Sequence, residues 1–386
     1  MATATIKTNQ TGTITFGVDE TNKNATLTTP VVMANSVVTF IGESIPFDSI
    51  TLHEQRRQNF TINLINTNTI NFQRQFDAGG DSVLTLTWQV VEYNAGVSVQ
   101  RSPSTLPLIY IDSDAGPYYT DITISTVDRT KSYVTAQIFG DAGYDETTNF
   151  HICAELTSNT NLRISTLWAY DFPCSWQVIS IDDATVQSVS AIWDANTGGT
   201  YKDITIPSSI DTTKSFVNYF SKFNSYGILT NNLTQTTKIL NSTTVRSSRS
   251  LNNSSFGMTI NIYVVSVSYQ KVQRGNIVYG ANTSQTATVT SYNSANSFAK
   301  MNIYQGVFPS NNSSTEEISR LEASTVAMTN STTLTFTRNS TDDVYDESTT
   351  LDWELVELLQ NIIGDLSNMG NKGIYRGLGK GLFRGI

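Results

Sequence analysis

The chain has only two histidines and two cysteines in 386 residues, and that scarcity removes whole classes of chemistry. With His53 and His151 the only histidines, beside Cys153 and Cys174, metal binding is not expected. One possible disulfide cannot staple a chain of this length into cystine-rich mini-domains. Cys153 and Cys174 read as two buried thiols, with a bridge between neighbouring strands as the alternative. His151 and Cys153 would share one face of a strand, but no orienting acid or helix N-terminus is near, so packing is the better reading. Charge is sparse too. Asp, Glu, Lys and Arg make up 15% of the chain, against roughly 25% in ordinary soluble domains.

Long apolar runs are also missing. No window reaches the roughly 18 apolar residues of a membrane span, and the opening MATATIKTNQTGTITF lacks the apolar core of an export signal. The expectation is synthesis in a host cytoplasm. Catalytic signatures are absent as well: no Gly-x-Ser-x-Gly elbow, no phosphate-binding Gly loop with Lys-Ser/Thr, no His-Glu-x-x-His. Asp112-Ser113-Asp114-Ala115-Gly116 lacks the later oxygen ligands of a calcium loop and reads as a turn. The run Asp342, Asp343, Asp346, Glu347 reads as a solvated loop. No catalytic, metal or cofactor residue is assigned, no cofactor is expected, and the chain reads as non-enzymatic.

What is abundant is Thr, Ser and Asn, with 17 Tyr, 17 Phe and 5 Trp. Branched Thr suits the pleated sheet, Asn and Ser suit turns, and the aromatics can fill several cores. Three landmarks recur in the same order four times. A strand-like run closes each unit: Trp88-Gln89-Val90-Val91-Glu92-Tyr93, Trp176-Gln177-Val178-Ile179-Ser180-Ile181, Ile262-Tyr263-Val264-Val265-Ser266-Val267 and Trp353-Glu354-Leu355-Val356-Glu357-Leu358. The steps between them are 88, 86 and 91 residues. Roughly 20 residues earlier stand Asn66-Thr67-Asn68-Thr69-Ile70, Ser158-Asn159-Thr160-Asn161-Leu162, Asn241-Ser242-Thr243-Thr244-Val245 and Asn330-Ser331-Thr332-Thr333-Leu334. Earlier still come Asn35-Ser36-Val37-Val38, Lys131-Ser132-Tyr133-Val134, Lys214-Ser215-Phe216-Val217 and Asn296-Ser297-Phe298-Ala299.

Alternation of period two within each unit, punctuated by Gly-Gly and Asn-Asn, predicts short half-buried strands. The expected fold is all-β: four tandem antiparallel β-sandwich domains at 4–94, 95–182, 183–269 and 270–358, ending in a short helix and a basic Gly-rich tail. Near-absent linkers predict that the units stack as a rod or cluster. Arg74, Arg249 and Arg338 follow the second landmark in three units. They read as surface cations paired with carboxylates, or as one contact repeated toward a neighbouring domain or a ligand.

The end of the chain is different. Leu359, Ile362, Leu366 and Met369 are spaced 3, 4 and 3, which predicts an amphipathic helix. From Lys372 a strict four-residue rhythm sets Lys372, Arg376, Lys380 and Arg384 beside Gly373, Gly377, Gly381 and Gly385. These four cations stand with no acid in 370–386, which leaves −13 on residues 1–369 of a chain whose net charge is −9. Six glycines in that segment would cost a helix about 5 kcal/mol. It is therefore expected to take shape only against an acidic, apolar partner, with Leu359, Ile362, Leu366, Met369, Lys372, Gly373, Arg376, Gly377, Lys380, Gly381 and Arg384 as docking residues. An anionic membrane is a second choice for the tail. The acidic body and so few cations argue against nucleic acid.

The landmarks TWQVVEY, NSTTLTFTR and LDWELVEL belong to tandem sandwiches rich in Thr, Asn and Ser with a docking tail. In overall architecture the chain resembles the capsid-decoration, fibre and receptor-binding proteins of bacterial and archaeal viruses. That resemblance covers residues 4 to 358. It implies a location in the virion, other virion proteins or further copies of the chain as partners (a homo-oligomer), and host surface glycan as a further possible ligand. The alternative is a cell-surface adhesin or carbohydrate-binding repeat protein. A glycan-degrading tailspike-like enzyme ranks third.

Overall fold

The computed structural model describes residues 4–17, 20–44, 60–74, 83–103, 108–109, 118–138, 152–166, 172–193, 199–223, 235–249, 257–279, 284–304, 324–338 and 349–359. These are mostly β-strand with almost no helix, arranged in several small antiparallel sheets. The first stretch of chain carries β1 (Thr5–Phe16), β2 (Asn22–Thr26), β3 (Ser36–Ser44), β4 (Phe60–Asn66), β5 (Thr69–Arg74) and β6 (Leu84–Ala95). The second carries β7 (Val97–Arg101), the two-residue β8 (Leu108–Ile109), β9 (Tyr119–Thr123), β10 (Ser132–Ile138), β11 (Cys153–Ser158), β12 (Asn161–Ser165) and β13 (Phe172–Ile181). In the third are β14 (Ala184–Trp193), β15 (Tyr201–Thr205), β16 (Ser215–Phe223), β17 (Gln235–Asn241), β18 (Thr244–Arg249) and β19 (Met258–Val267). The fourth has β20 (Gln270–Tyr279), β21 (Ser284–Thr288), β22 (Ser297–Tyr304), β23 (Ser324–Asn330), β24 (Thr333–Arg338) and β25 (Thr349–Leu358).

One pairing scheme recurs in all four stretches. The closing strand sits in the middle of one sheet: β1-β6-β3, β10-β13-β7, β14-β19-β16 and β20-β25-β22. Three further strands form the other, β2-β5-β4, β11-β12-β9, β15-β18-β17 and β21-β24-β23, while the short β8 pairs with β13. Thr325 of β23 pairs with Gly42 of β3, so the fourth stretch continues a sheet of the first.

The second landmark is the hairpin turn between the fourth and fifth of these strands. Asn66, Asn241 and Asn330 each accept at the side-chain oxygen from the backbone N–H two residues on, and the Ser158 hydroxyl does the same for Thr160. Such Asx and Ser turns hold a tight reversal without a glycine. The exposed turn carbonyls then accept from the preceding loop, Leu27 and Val31 at Asn68 and Thr67, and Val289 and Tyr292 at Thr332 and Ser331.

The third landmark is also structural. Ser36, Ser132, Ser215 and Ser297 are fully buried, and each hydroxyl donates to the carbonyl four residues back. That bond closes the turn feeding the inner sheet. Three of these turns are short 3-10 pieces, Met33–Asn35, Thr212–Lys214 and Ser294–Asn296.

The closing strands are buried on both faces. Leu84, Leu86, Trp88 and Val90 fill the space between the two sheets of the first stretch. Met258, Ile260, Ile262 and Val264 do so in the third, and Leu351, Trp353 and Leu355 in the fourth. The opposite face contributes Val91 and Tyr93, Ile179 and Ile181, Val265 and Val267, and Val356 and Leu358 to one shared cluster. Burial of both faces explains why these strands read as near-continuous apolar runs. At roughly 1.5–3 kcal/mol for each large side chain buried, that shared hub is what joins the four stretches.

Candidate functional site

The stretches meet in a closed cycle, and one strand position makes each junction. It is the residue after the Trp (or Ile262) of the closing strand. Gln177 accepts from the Val38 N–H at 3.0 Å and donates to the Val38 carbonyl at 2.6 Å, reaching from the second stretch into the first. The Tyr263 hydroxyl accepts from the Leu156 N–H at 3.2 Å and donates to the Ala154 carbonyl at 3.4 Å, third into second. The Glu354 carboxylate accepts from the Val217 N–H at 3.2 Å, fourth into third. Gln89 Nε2 donates to the Ser297 carbonyl at 3.0 Å, first into fourth.

A second contact repeats at three junctions. Arg101 Nη2 donates to the Met33 and Ser36 carbonyls. Arg274 donates to Thr212 and Ser215, and Asn9 Nδ2 to Ser294 and Ser297. Each clamps the turn preceding the neighbour's inner-sheet strand. Buried carbonyls that would otherwise go unpaired are thereby satisfied. At the second-to-third junction the backbone takes this part, Val186 N–H donating to the Thr130 carbonyl at 2.7 Å.

The strands opened by the third landmark, β3, β10, β16 and β22, come together where the four stretches meet. They line a cavity of about 270 Å³ to which all four stretches contribute. Period two sorts their side chains into rungs. Val37, Tyr133, Phe216 and Phe298 belong to the hub or pack against it. Tyr133 meets Phe216 edge-on at 5.8 Å, and Phe216 meets Phe298 edge-on at 5.9 Å. Two residues on come Thr39, Thr135, Asn218 and Lys300, all lining the cavity. An apolar rung therefore abuts a polar one.

The polar rung carries a single cation. Lys300 donates to the Val217 carbonyl and to Asn218 Oδ1, and its ammonium lies 5.0 Å from the centroid of the Phe216 ring. Burial lowers its pKa to about 8, against an opposing pull from Glu354. Glu354 is 4% exposed, and burial raises its pKa despite Arg274 and Lys300 nearby. Arg274 Nε reaches Glu354 at 3.4 Å while its other two nitrogens hold the Thr212 and Ser215 carbonyls. The Thr39 hydroxyl, also on the polar rung, is buried without a hydrogen-bond partner among the described residues.

Residues singled out in the sequence fare differently. Arg74 is buried at 4% exposure rather than solvated. It lies 5.0 Å from the Phe16 ring centroid, and its Nε and Nη2 donate to the Glu20 and Gly17 carbonyls at 2.7 and 2.6 Å. These bonds stay within the first stretch and tie down the loop after β1. The side chains of Arg249 and Arg338 lie outside the described residues. Leu359 is exposed, with its N–H donating to the Tyr269 carbonyl at 2.6 Å. Ile362, Leu366, Met369, Lys372, Gly373, Arg376, Gly377, Lys380, Gly381 and Arg384 lie outside the described residues. So do the expected helix, both histidines, the Asp112–Gly116 turn and the 342–347 acidic run.

Cys153 and Cys174 are free and buried, as two thiols. Burial pushes the Cys153 pKa up to about 12 and Cys174 up as well, so neither is an activated nucleophile. Among the described residues no group of three His, Cys, Asp or Glu side chains is placed to hold a metal, and no helix is long and apolar enough to cross a membrane. The sequence reading missed the cavity altogether. Its signal was present in the third landmark, where Thr39, Thr135, Asn218 and Lys300 stand three residues after the repeated serine. The chain matches no known protein-family description, no curated protein and no solved structure.

Proposed function

We propose that the chain is a set of four β-sandwich domains, at 4–94, 95–182, 183–269 and 270–358, closed into one body that serves as a non-enzymatic virion structural protein. It would act as a capsid-decoration, fibre or receptor-binding component, anchored through the segment after Leu358. The observation that carries this reading is the closing contact between first and last stretches, Gln89 and Asn9 to Ser297 and Thr325 to Gly42. A chain closed on itself is stiff, and stiffness suits a particle component more than a flexible array of modules.

Polarity supports docking by the tail. The ends of all four closing strands meet in the hub, and Leu358 is one of them. The chain therefore leaves the body from the hub. The connections that follow the first, third and fifth of the paired strands begin at the other end of the sheets, because successive strands run in opposite directions. The repeated Gly and cationic positions of 372–385 remain the candidate contact to other virion proteins or to another copy.

The test is a chain ending at Leu358, compared with the full chain for incorporation into particles. Loss of incorporation with an unchanged circular dichroism spectrum is expected. Undiminished incorporation would overturn anchoring through the tail.

A further inference from the structure

We propose that this cavity is a binding site for a small monoanionic carboxylate, with Lys300 as its charge partner and the hydroxyl of Thr135 as its hydrogen-bond donor. The site is present whether or not the body is attached to a particle.

Size comes first. A cavity of about 270 Å³ is far larger than one water, whose share of the liquid is about 30 Å³. It falls just below the roughly 300–1,000 Å³ typical of drug-sized ligands. The occupant is then a molecule of a few to a dozen heavy atoms.

Charge comes next. Lys300 and Arg274 lie against one carboxylate, Glu354, so the buried group carries one positive charge in excess. A desolvated charge is costly unless paired. A ligand with one negative charge restores the balance, whereas a dianionic phosphate would overshoot it.

Donor geometry points the same way. Phosphate recognition favours a free guanidinium fork or converging backbone amides. Arg274 has no fork to offer, since its three nitrogens already hold Glu354, Thr212 and Ser215. What the polar rung offers is one ammonium and a hydroxyl. Lys300 has three N–H donors, of which Val217 and Asn218 take two. Thr135 Oγ1 accepts from Gln177 Nε2 at 3.2 Å, which turns its own hydrogen elsewhere. Lys300 and Thr135 belong to the fourth and second stretches and all four stretches line the cavity, so the site exists only in the closed cycle.

The experiment is calorimetric titration of the full-length wild-type chain with acetate, glucuronate, glucose and glucose 6-phosphate at low salt, repeated on Lys300→Met and Thr135→Val. At least one carboxylate is expected to bind, with glucose and glucose 6-phosphate at least about tenfold weaker than glucuronate or without heat. Lys300→Met should weaken carboxylate binding about tenfold or more, and Thr135→Val by roughly threefold to tenfold. Affinity should also fall as pH is raised from about 7 to about 9, because only the charged Lys300, facing Glu354 and Arg274, pairs with the ligand. Should Lys300→Met fail to fold, the Thr135→Val arm and the pH profile on wild type carry the test. Equal binding of glucose and glucuronate, no carboxylate binding up to about 10 mM, or a pH-independent affinity would overturn the site.

Discussion

Gly275 of β20 pairs directly with Trp353 of β25, and a Cβ added at Gly275 would stand 2.7 Å from the indole Cζ2 of that tryptophan. The first stretch repeats the pair as Gly12 and Trp88. In the third, the indole is replaced by Ile262 and its cross-strand partner is Val189. Each pair fills a similar volume in a different way, a large ring over no side chain or two branched aliphatics side by side. Interiors packed to crystal density require such compensation.

Gly275→Val should therefore destabilise the chain by about 1–3 kcal/mol through overpacking. The same change made together with Trp353→Ile should recover part of that loss, because the double variant copies the pair of the third stretch. Urea unfolding of the two singles and the double gives the coupling. Additive losses would mean that the two sites do not share volume.

Gln177→Ala removes the amide that serves both backbone groups of Val38 and leaves a buried N–H and C=O unpaired. An unsatisfied buried group costs roughly 1–3 kcal/mol, so the loss should exceed that of an ordinary surface change. Hydrogen exchange offers a direct check, with the Val38 amide expected to lose protection more than amides in β18.

Lys300 has a folded pKa lowered to about 8 by burial, with Glu354 and Arg274 as its charged neighbours and Phe216 and Asn218 against it. Its unfolded value is near the ordinary lysine pKa of about 10.4. Between these two values the unfolded chain holds the extra proton, so this residue makes the fold more stable as pH rises. Below about pH 8 the folded state bears the whole cost of the buried charge. Lys300→Met should thus gain stability over wild type near neutral pH, and the gap should close as pH approaches about 10. Stability curves of both chains across that range decide it.

Cys153 and Cys174 act with the opposite sign. Burial raises both thiols, Cys153 to about 12, while an unfolded thiol ionises near pH 8.5. Their stabilising contribution is complete below about pH 8.5 and is lost as pH rises above it. With two thiols against one lysine, wild-type stability should fall above about pH 8.5. A thiol reagent should label neither cysteine in the native chain and both after unfolding, and rapid native labelling would show that Cys153 opens locally.

Arg74→Met should cost about 2–3 kcal/mol, because the Gly17 and Glu20 carbonyls lose a charged donor. A change within about 0.5 kcal/mol would return Arg74 to the status of a surface cation.

Two of the three landmarks were legible as repetition without being legible as physics. The Asn-x-Thr groups are hairpin turns held by side-chain oxygens, and the repeated serines close the turns before the inner strands. Both are local bonds, four residues apart or fewer, and local bonds are what a linear reading can recover. Arg74 shows the limit. An arginine in an alternating strand reads as surface, yet its partners at Gly17 and Glu20 are more than 50 residues away.

Composition and period two determined by themselves that the chain is β-sheet, and the spacing of the landmarks determined that one arrangement recurs. Strand formation answers to alternation and residue type, which every short window carries. That the first stretch meets the fourth, and that Lys300, Thr39 and Thr135 share a cavity, was decided only in three dimensions. Those contacts join residues far apart along the chain, and their free energy comes from burying faces that each stretch alone would leave in water.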